Sequence, residues 1–272
     1  MTARPTQPAG QSRTRMVGLL WQAWLPLAAA VAIWFWSSGS QSYFFPPLSR
    51  VLEETWRIWF AGGGILRDIV PSFVRLITGF ALALVLGVAL GTILGINRTL
   101  EVAMRPVTEA LRAIPGAALL PIAMMFLASG ETMKLSMIAF ISTWPILLNT
   151  IEGVRSVDPT LRLVMASFRL SPWYRFRYVF LPAAAPQIMA GARISFAVSV
   201  AVMVIVEMFG TPGGMGYFIR HAQQTFQVVP MWTGILMLGL FGYALNVLFR
   251  LIERRVLRWH YAMAAHSEGG NQ

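Results

Sequence analysis

The residues with chemical potential in this chain are few, and most are arginines. Five of them (Arg155, Arg162, Arg169, Arg175 and Arg177) fall within or beside one polar interruption, residues 158–182, which has no lysine. Leu161, Val164, Met165 and Phe168 recur there at i, i+3, i+4 and i+7, the spacing of one helical stripe. Ser171-Pro172 reads as an N-cap followed by proline at the first helical position, so a second short helix is expected to start there. Trp173, Phe176 and Phe180 then share a face, with Arg175 and Arg177 pointing elsewhere. Such a pair of helices suits a groove on a partner protein. It suits an anionic lipid surface equally well. Outside this segment, Glu207 precedes a turn rich in glycine, Gly210, Gly213, Gly214 and Gly216. It reads either as a carboxylate that hydrogen-bonds the turned backbone or as a group lining or gating an outer vestibule. Glu109 and Arg112 are one helical turn apart and read as an i,i+3 pair near the cytoplasmic surface.

None of this is an enzyme's equipment. The sequence has no paired-carboxylate motif, no Gly-x-Ser-x-Gly and no phosphate-binding Gly-x-x-x-x-Gly-Lys-Ser/Thr run. Cysteine is absent, and the three histidines lack metal-ligand spacing. No catalytic residue, no metal site and no cofactor of the chain's own are expected. Were ATP to energise its work, another polypeptide would have to hydrolyse it.

The elements that position these residues are set by hydropathy. Of 272 residues, 56% are hydrophobic and only 12% charged, about half the usual charged share of a soluble domain. Several stretches reach the roughly 20 apolar residues that cross a bilayer core. The expected fold is all-α, a polytopic membrane protein with about six transmembrane helices: residues 19–37, 70–96, 107–128, 133–151, 186–209 and 231–251. Residues 1–18 read as a cytoplasmic tail, and the run after them as a retained first span rather than a signal peptide. Residues 252–272 form the second tail, and a cytoplasmic loop occupies about 152–185. Pro115-Gly116 and Pro121 interrupt the third span and Pro145 the fourth, so kinks are expected in both.

Orientation follows from the arginines and lysine near span ends. Thirteen fall in one set of alternate loops and five, Lys134 and Arg220 among them, in the other. The richer set, which includes the 158–182 segment, should be cytoplasmic, with both termini inside. Arg193 reads as a cytoplasmic anchor. The net charge of +11 is thereby explained without nucleic acid. Outside, residues 49–60 form an amphipathic stretch suited to the membrane interface. In the second span Gly79, Ala83, Gly87, Gly91 and Gly95 lie four apart, a row that lets another helix approach closely, within the chain or between two copies.

The chain resembles the membrane-spanning permease subunits of type I ABC importers, in the branch serving nitrate, taurine, aliphatic sulfonates and bicarbonate. The resemblance rests on Phe45-Pro46-Pro47-Leu48, on the segments 111–121, 149–159 and 179–186, on Val206-Glu207-Met208-Phe209-Gly210 with Gly214 to Tyr217, and on residues 251–255. It implies a second permease copy in a homodimer and two ATPase subunits that carry ATP and magnesium. It also implies a periplasmic or lipid-anchored solute-binding protein and a place in the bacterial inner membrane, surrounded by lipid. The solute would be a small anion such as a sulfonate, nitrate or taurine.

The family's cytoplasmic signature places Glu-Ala-Ala at Leu163, Val164 and Met165, a glycine at Arg169, and Leu-Pro at Leu181-Pro182. Only the last pair matches. The resemblance makes Leu163, Val164, Met165, Phe168, Arg169, Ser171, Trp173, Phe176, Leu181 and Pro182 the ATPase-coupling loop. A left-handed glycine replaced by arginine costs on the order of 1 kcal/mol if the same turn forms. The alternatives are a secondary transporter or channel, or a membrane-embedded enzyme. The first lacks the expected internal repeats and midplane charges, and the second lacks clustered acid, base or metal ligands.

Overall fold

The computed structural model describes residues 43–210 and 212–258, with Ala29, Ala32, Trp36 and Gly39 besides. The expected N-terminal tail, nearly all of the first span (19–37) and most of the C-terminal tail lie outside the described residues. Among the described residues every regular element is helical. In a bilayer this satisfies each backbone N–H and C=O within its own segment.

Pro47 is followed by α1, Leu48–Thr55, which widens into a π turn at Trp56–Ala61. Gly62 and Gly63, the latter at φ 73°, end it. A second π turn, Ile65–Ile69, leads into α2, Val70–Ile96. Asn97 caps the next helix by accepting from Leu100 N–H at 3.0 Å, and α3 runs Arg98–Ala113. Beyond Pro115 the chain makes a 3-10 turn, Gly116–Leu119, and then α4, Leu120–Leu127. α5 is Glu131–Arg155 and α6 is Pro159–Ser167. α7 runs 38 residues, Pro172–Phe209, with a π turn at Phe176–Phe180. α8 is Met215–Gln224 and α9 is Val228–Val256.

Four helical stretches among these are long and apolar enough to span: Ile65–Ile96, Glu131–Arg155, Pro172–Phe209 and Val228–Val256. A fifth is the broken pair Arg98–Ala113 and Gly116–Leu127, bent by 88°. The expected third span, 107–128, is therefore not a kinked rod. Its first half belongs to an amphipathic helix lying across the second half. The break falls at Pro115, where the preceding residue, Ile114, is held extended. Pro145, by contrast, sits inside an unbroken α5, and the Asn149 amide donates to its carbonyl at 2.8 Å.

α5 is the centre of the bundle, between α2 and α7. The small row of α2 faces α5, so it packs helices within the chain. A Cβ added at Gly79 would lie 2.6 Å from Ile138, at Gly87 2.8 Å from Ile146, at Gly91 2.6 Å from Thr150 and at Gly95 2.8 Å from Val154. The main core gathers Leu76, Met133, Ile138, Phe196, Met203 and Phe249. α1 packs against α9 instead of merely resting at the membrane interface. Trp59, in the π turn after it, is fully buried and donates from Nε1 to Thr233 Oγ1 at 3.2 Å. Trp56 remains exposed.

Candidate functional site

At one end of the bundle, four helices converge on Glu207. The end of α7 delivers its carboxyl into a fully buried position. Ser72 Oγ of α2 donates to it at 2.8 Å, and the Gly216 N–H at the start of α8 donates at 3.0 Å. Arg75, one turn after Ser72, pairs with it through Nη1 at 2.8 Å. The same guanidinium holds Glu131, the first residue of α5, with two bonds of 2.7 and 2.8 Å, and reaches the Gly213 carbonyl at 3.0 Å. Lys134 completes the set at 3.2 Å from Glu131. Two acids and two bases thus cancel, which is how charge is tolerated away from water.

The glycines are shaped to this cluster. Gly214, at φ 102°, has no room for a Cβ because the Glu207 carboxyl occupies that space, and a Cβ at Gly216 would lie 2.8 Å from Glu207 Cβ. A Cβ at Gly210 would meet the Lys134 side chain at 2.6 Å. Glu207, Gly210, Gly214 and Gly216 are therefore brought together. Sequence reasoning missed Arg75, the residue that links them, and treated Lys134 as a loop charge when it is fully buried. Arg220, likewise counted only as an orientation charge, donates to the Met208 carbonyl and lies over the Phe209 ring.

At the opposite end lies the 158–182 segment. Asp158 caps α6 by accepting from Thr160 N–H at 2.6 Å, and that bond holds its carboxyl below the usual carboxylate range. Arg162 does not project toward a partner. Its Nη2 lies 2.8 Å from the Val154 carbonyl and 3.3 Å from that of Arg155, at the end of α5, where a cation is favoured. α6 closes with Arg169 at φ 48°. The Arg169 N–H bonds Ala166 O at 3.0 Å and the Leu170 N–H bonds Met165 O at 3.2 Å, the double bond pattern of a glycine-type helix stop. The turn proper to glycine therefore forms here with arginine in it, and its strain is retained. Arg169→Gly should raise thermal stability by about 1 kcal/mol, a shift of about 2–4 °C in a chain of this size. An unchanged or lowered melting temperature in detergent would contradict the strain.

Three expectations for this segment are corrected. The helix starting at Ser171-Pro172 is not short: it continues through Leu181-Pro182 to Phe209 as one helix that contains the expected span 186–209. The stripe of α6 is split, because Met165 is buried with Val154, Val157, Phe180 and Ala184 while Leu161, Val164 and Phe168 stay exposed. Trp173 and Phe180 do not act together either: Phe180 is buried and Trp173 is 69% exposed, with Phe176 against the Trp173 ring at 5.8 Å. The exposed face comprises Leu163, Val164, Phe168 and Trp173, and Ser171 Oγ caps the second helix by accepting from Tyr174 N–H at 3.3 Å.

Between the two ends, the bend of the third span borders an open groove of about 580 Å3 lined by Glu109, Arg112, Phe140, Trp144, Asn149 and Ile194, among others. Glu109 pairs with Arg105 at 3.1 Å, not with Arg112 as the i,i+3 spacing suggested. Arg193 is not a lone anchor; it pairs with Glu253 of α9.

Four long apolar helices, a bent helix pair, a charge cluster at one end and a structured loop at the other define a multi-pass membrane protein. Residues 83–258 match the family described as binding-protein-dependent transport system inner membrane component. The putative aliphatic sulfonates transport permease protein SsuC of Bacillus subtilis is 30% identical over 90% of this chain and 87% of its own length. The bicarbonate transport system permease protein CmpB of Synechococcus elongatus is 31% identical over 95% and 99%. Among solved structures, an inward-facing form of the MetNI methionine ABC transporter superposes with a TM-score of 0.57 at 20% identity, over 74% of this chain and 96% of that one. The chain belongs to the family of binding-protein-dependent inner-membrane transport components. It is a permease subunit of an ABC importer, a multi-pass inner-membrane protein and not an enzyme. Membership implies that ATP and magnesium act on a partner ATPase, and it implies binding-protein and permease partners.

Proposed function

We propose that two copies of this chain form the pathway by which a small anion, handed over by an external binding protein, crosses the inner membrane. The solute class is taken from relatives named for aliphatic sulfonates and bicarbonate. Two ATPase subunits dock beneath the 158–182 loop. One observation carries that docking: Met165 and Phe180 anchor the loop inward, while Leu163, Val164, Phe168 and Trp173 are left exposed on a capped, rigid turn. A preorganised apolar face of this kind binds with little ordering cost. ATP drives transport only through its different affinity for the inward-open and outward-open states. In this reading the Glu207 cluster, with Gly210, Gly214 and Gly216, is the outer closure that the outward-open state must loosen.

Phe168→Asp and Trp173→Asp each place a charge in the docking face. With the binding protein and ATPase in proteoliposomes, each should cut ATP-driven uptake by about tenfold or more, with membrane insertion unchanged. Normal uptake in both variants would remove the docking role. Uptake by the chain alone, without an ATPase, would favour a secondary transporter instead.

A further inference from the structure

Arg169 sits where an arginine costs stability. Its backbone is left-handed, at φ 48°, a conformation that any residue with a Cβ resists. The helix stop does not need the side chain. The stop is made by the backbone N–H groups of Arg169 and Leu170, and glycine would make the same turn without strain. Nothing inside the chain offsets the cost. Arg169 is exposed, and its guanidinium has neither an ion pair nor a hydrogen bond among the described residues. Its surroundings carry one sign of charge. No aspartate or glutamate occurs between Asp158 and Glu207, and Asp158 is occupied in capping α6. Arg162 is turned inward onto the end of α5, so Arg169 and Arg177 are left as exposed cations. α6 is also oriented. Met165 packs against Val154, at the end of α5, and against Phe180. Leu163, about 200° around the helix from Met165, is exposed, and so is Phe168. The open side of α6 therefore faces away from the end of the bundle, toward the aqueous phase and not toward the lipid beside the spans.

We propose that Arg169 is an electrostatic contact to the ATPase subunit, pairing with a carboxylate at the rim of the groove that takes Phe168. The strain is kept because glycine, which would relieve it, has no side chain to make that contact. The inference rests on the docking reading and adds the chemistry of the partner: an apolar groove with an acidic rim. A rim charge of this kind acts on the association rate and is screened by salt, whereas the Phe168 contact is not. Stability and docking then pull in opposite directions at one residue, which a merely solvated arginine would not produce.

The test uses the full chain in phosphatidylcholine nanodiscs and the purified ATPase subunit of the same importer, with association followed by biolayer interferometry at about 0.1 M salt. Arg169→Gly should melt about 2–4 °C higher than the parent and yet bind the ATPase about threefold to tenfold more weakly. Arg169→Lys, which keeps both charge and strain, should recover most of the binding without the gain in melting temperature. Arg169→Glu should bind least. Raising the salt to about 1 M should bring the parent down to the level of Arg169→Gly. Equal affinity of Arg169→Gly and the parent at low salt overturns the contact, and so does a loss in Arg169→Gly that persists unchanged at high salt. A difference that arises only in phosphatidylglycerol nanodiscs assigns the arginine to lipid and overturns the contact as well. Phe168→Asp separates the two levels. If it abolishes binding while Arg169→Gly does not weaken it, the docking reading stands and the Arg169 contact falls. If neither variant weakens binding, the docking reading falls with it.

Discussion

Arg75→Ala should destabilise the protein by about 3–5 kcal/mol, because it leaves a buried carboxylate without its counter-charge. Glu207 is fully buried, and Arg75 is its ion-pair partner at 2.8 Å. Ser72 and the Gly216 N–H would still donate to it, which keeps the loss from being larger. Glu131 would suffer less, since it is half exposed and retains Lys134. The expected measurement is an early melting transition in detergent. The companion variant, Arg75→Met with Glu207→Gln, removes both charges and should recover most of the stability. If the two changes were instead additive, the Arg75–Glu207 pairing would not be the source of the effect.

Gly91→Ala should cost about 1–3 kcal/mol through overpacking. The new methyl group would fall 2.6 Å from Thr150 Cβ and 2.8 Å from the Leu147 carbonyl oxygen. That oxygen is helix backbone, so the neighbour cannot simply rotate away. Gly91→Leu should prevent α2 and α5 from seating at all, and the protein should then be lost to degradation or aggregation on extraction. Gly239, in α9, has nothing within 4 Å of the place a methyl group would take. Gly239→Ala should leave the melting temperature no lower than the parent's, since alanine is the better helix former. Equal behaviour of Gly91→Ala and Gly239→Ala would mean that the small row is not what holds α2 to α5.

What the sequence made legible was what depends on near neighbours along the chain. The four-residue spacing from Gly79 to Gly95 announces a contact face, and Ser171-Pro172 announces a helix start. What it concealed depends on partners far along the chain. Arg75 lies 132 residues from Glu207, and an arginine near a span's end looks like any other that reaches for water. Lys134 was misjudged for the same reason. Helical periodicity put Met165 and Phe168 on one stripe, but it cannot say that Val154 and Phe180 wait for one of them only. Pro115-Gly116 signalled a break, while the 88° size of the turn is set by the backbone around the extended Ile114, which no local pattern specifies. The strain at Arg169 was open to sequence reasoning only as a choice between two outcomes, and backbone geometry decides it.

α5 joins the two ends of the molecule in a single piece. Its 25 residues make a rod about 37 Å long at 1.5 Å per residue. Arg162 is bolted to its last carbonyls, and Glu131, its first residue, is held by Arg75. Glycines of α2 clamp it along its length, so bending it would open many close contacts at once. In the docking reading proposed above it would serve as a strut: a push delivered at Arg162 would arrive at Glu131 as displacement of the whole rod, without a relay of rearranging side chains between them. A hinge engineered into its middle, rather than any change at either end, is what would disconnect one side of the membrane from the other.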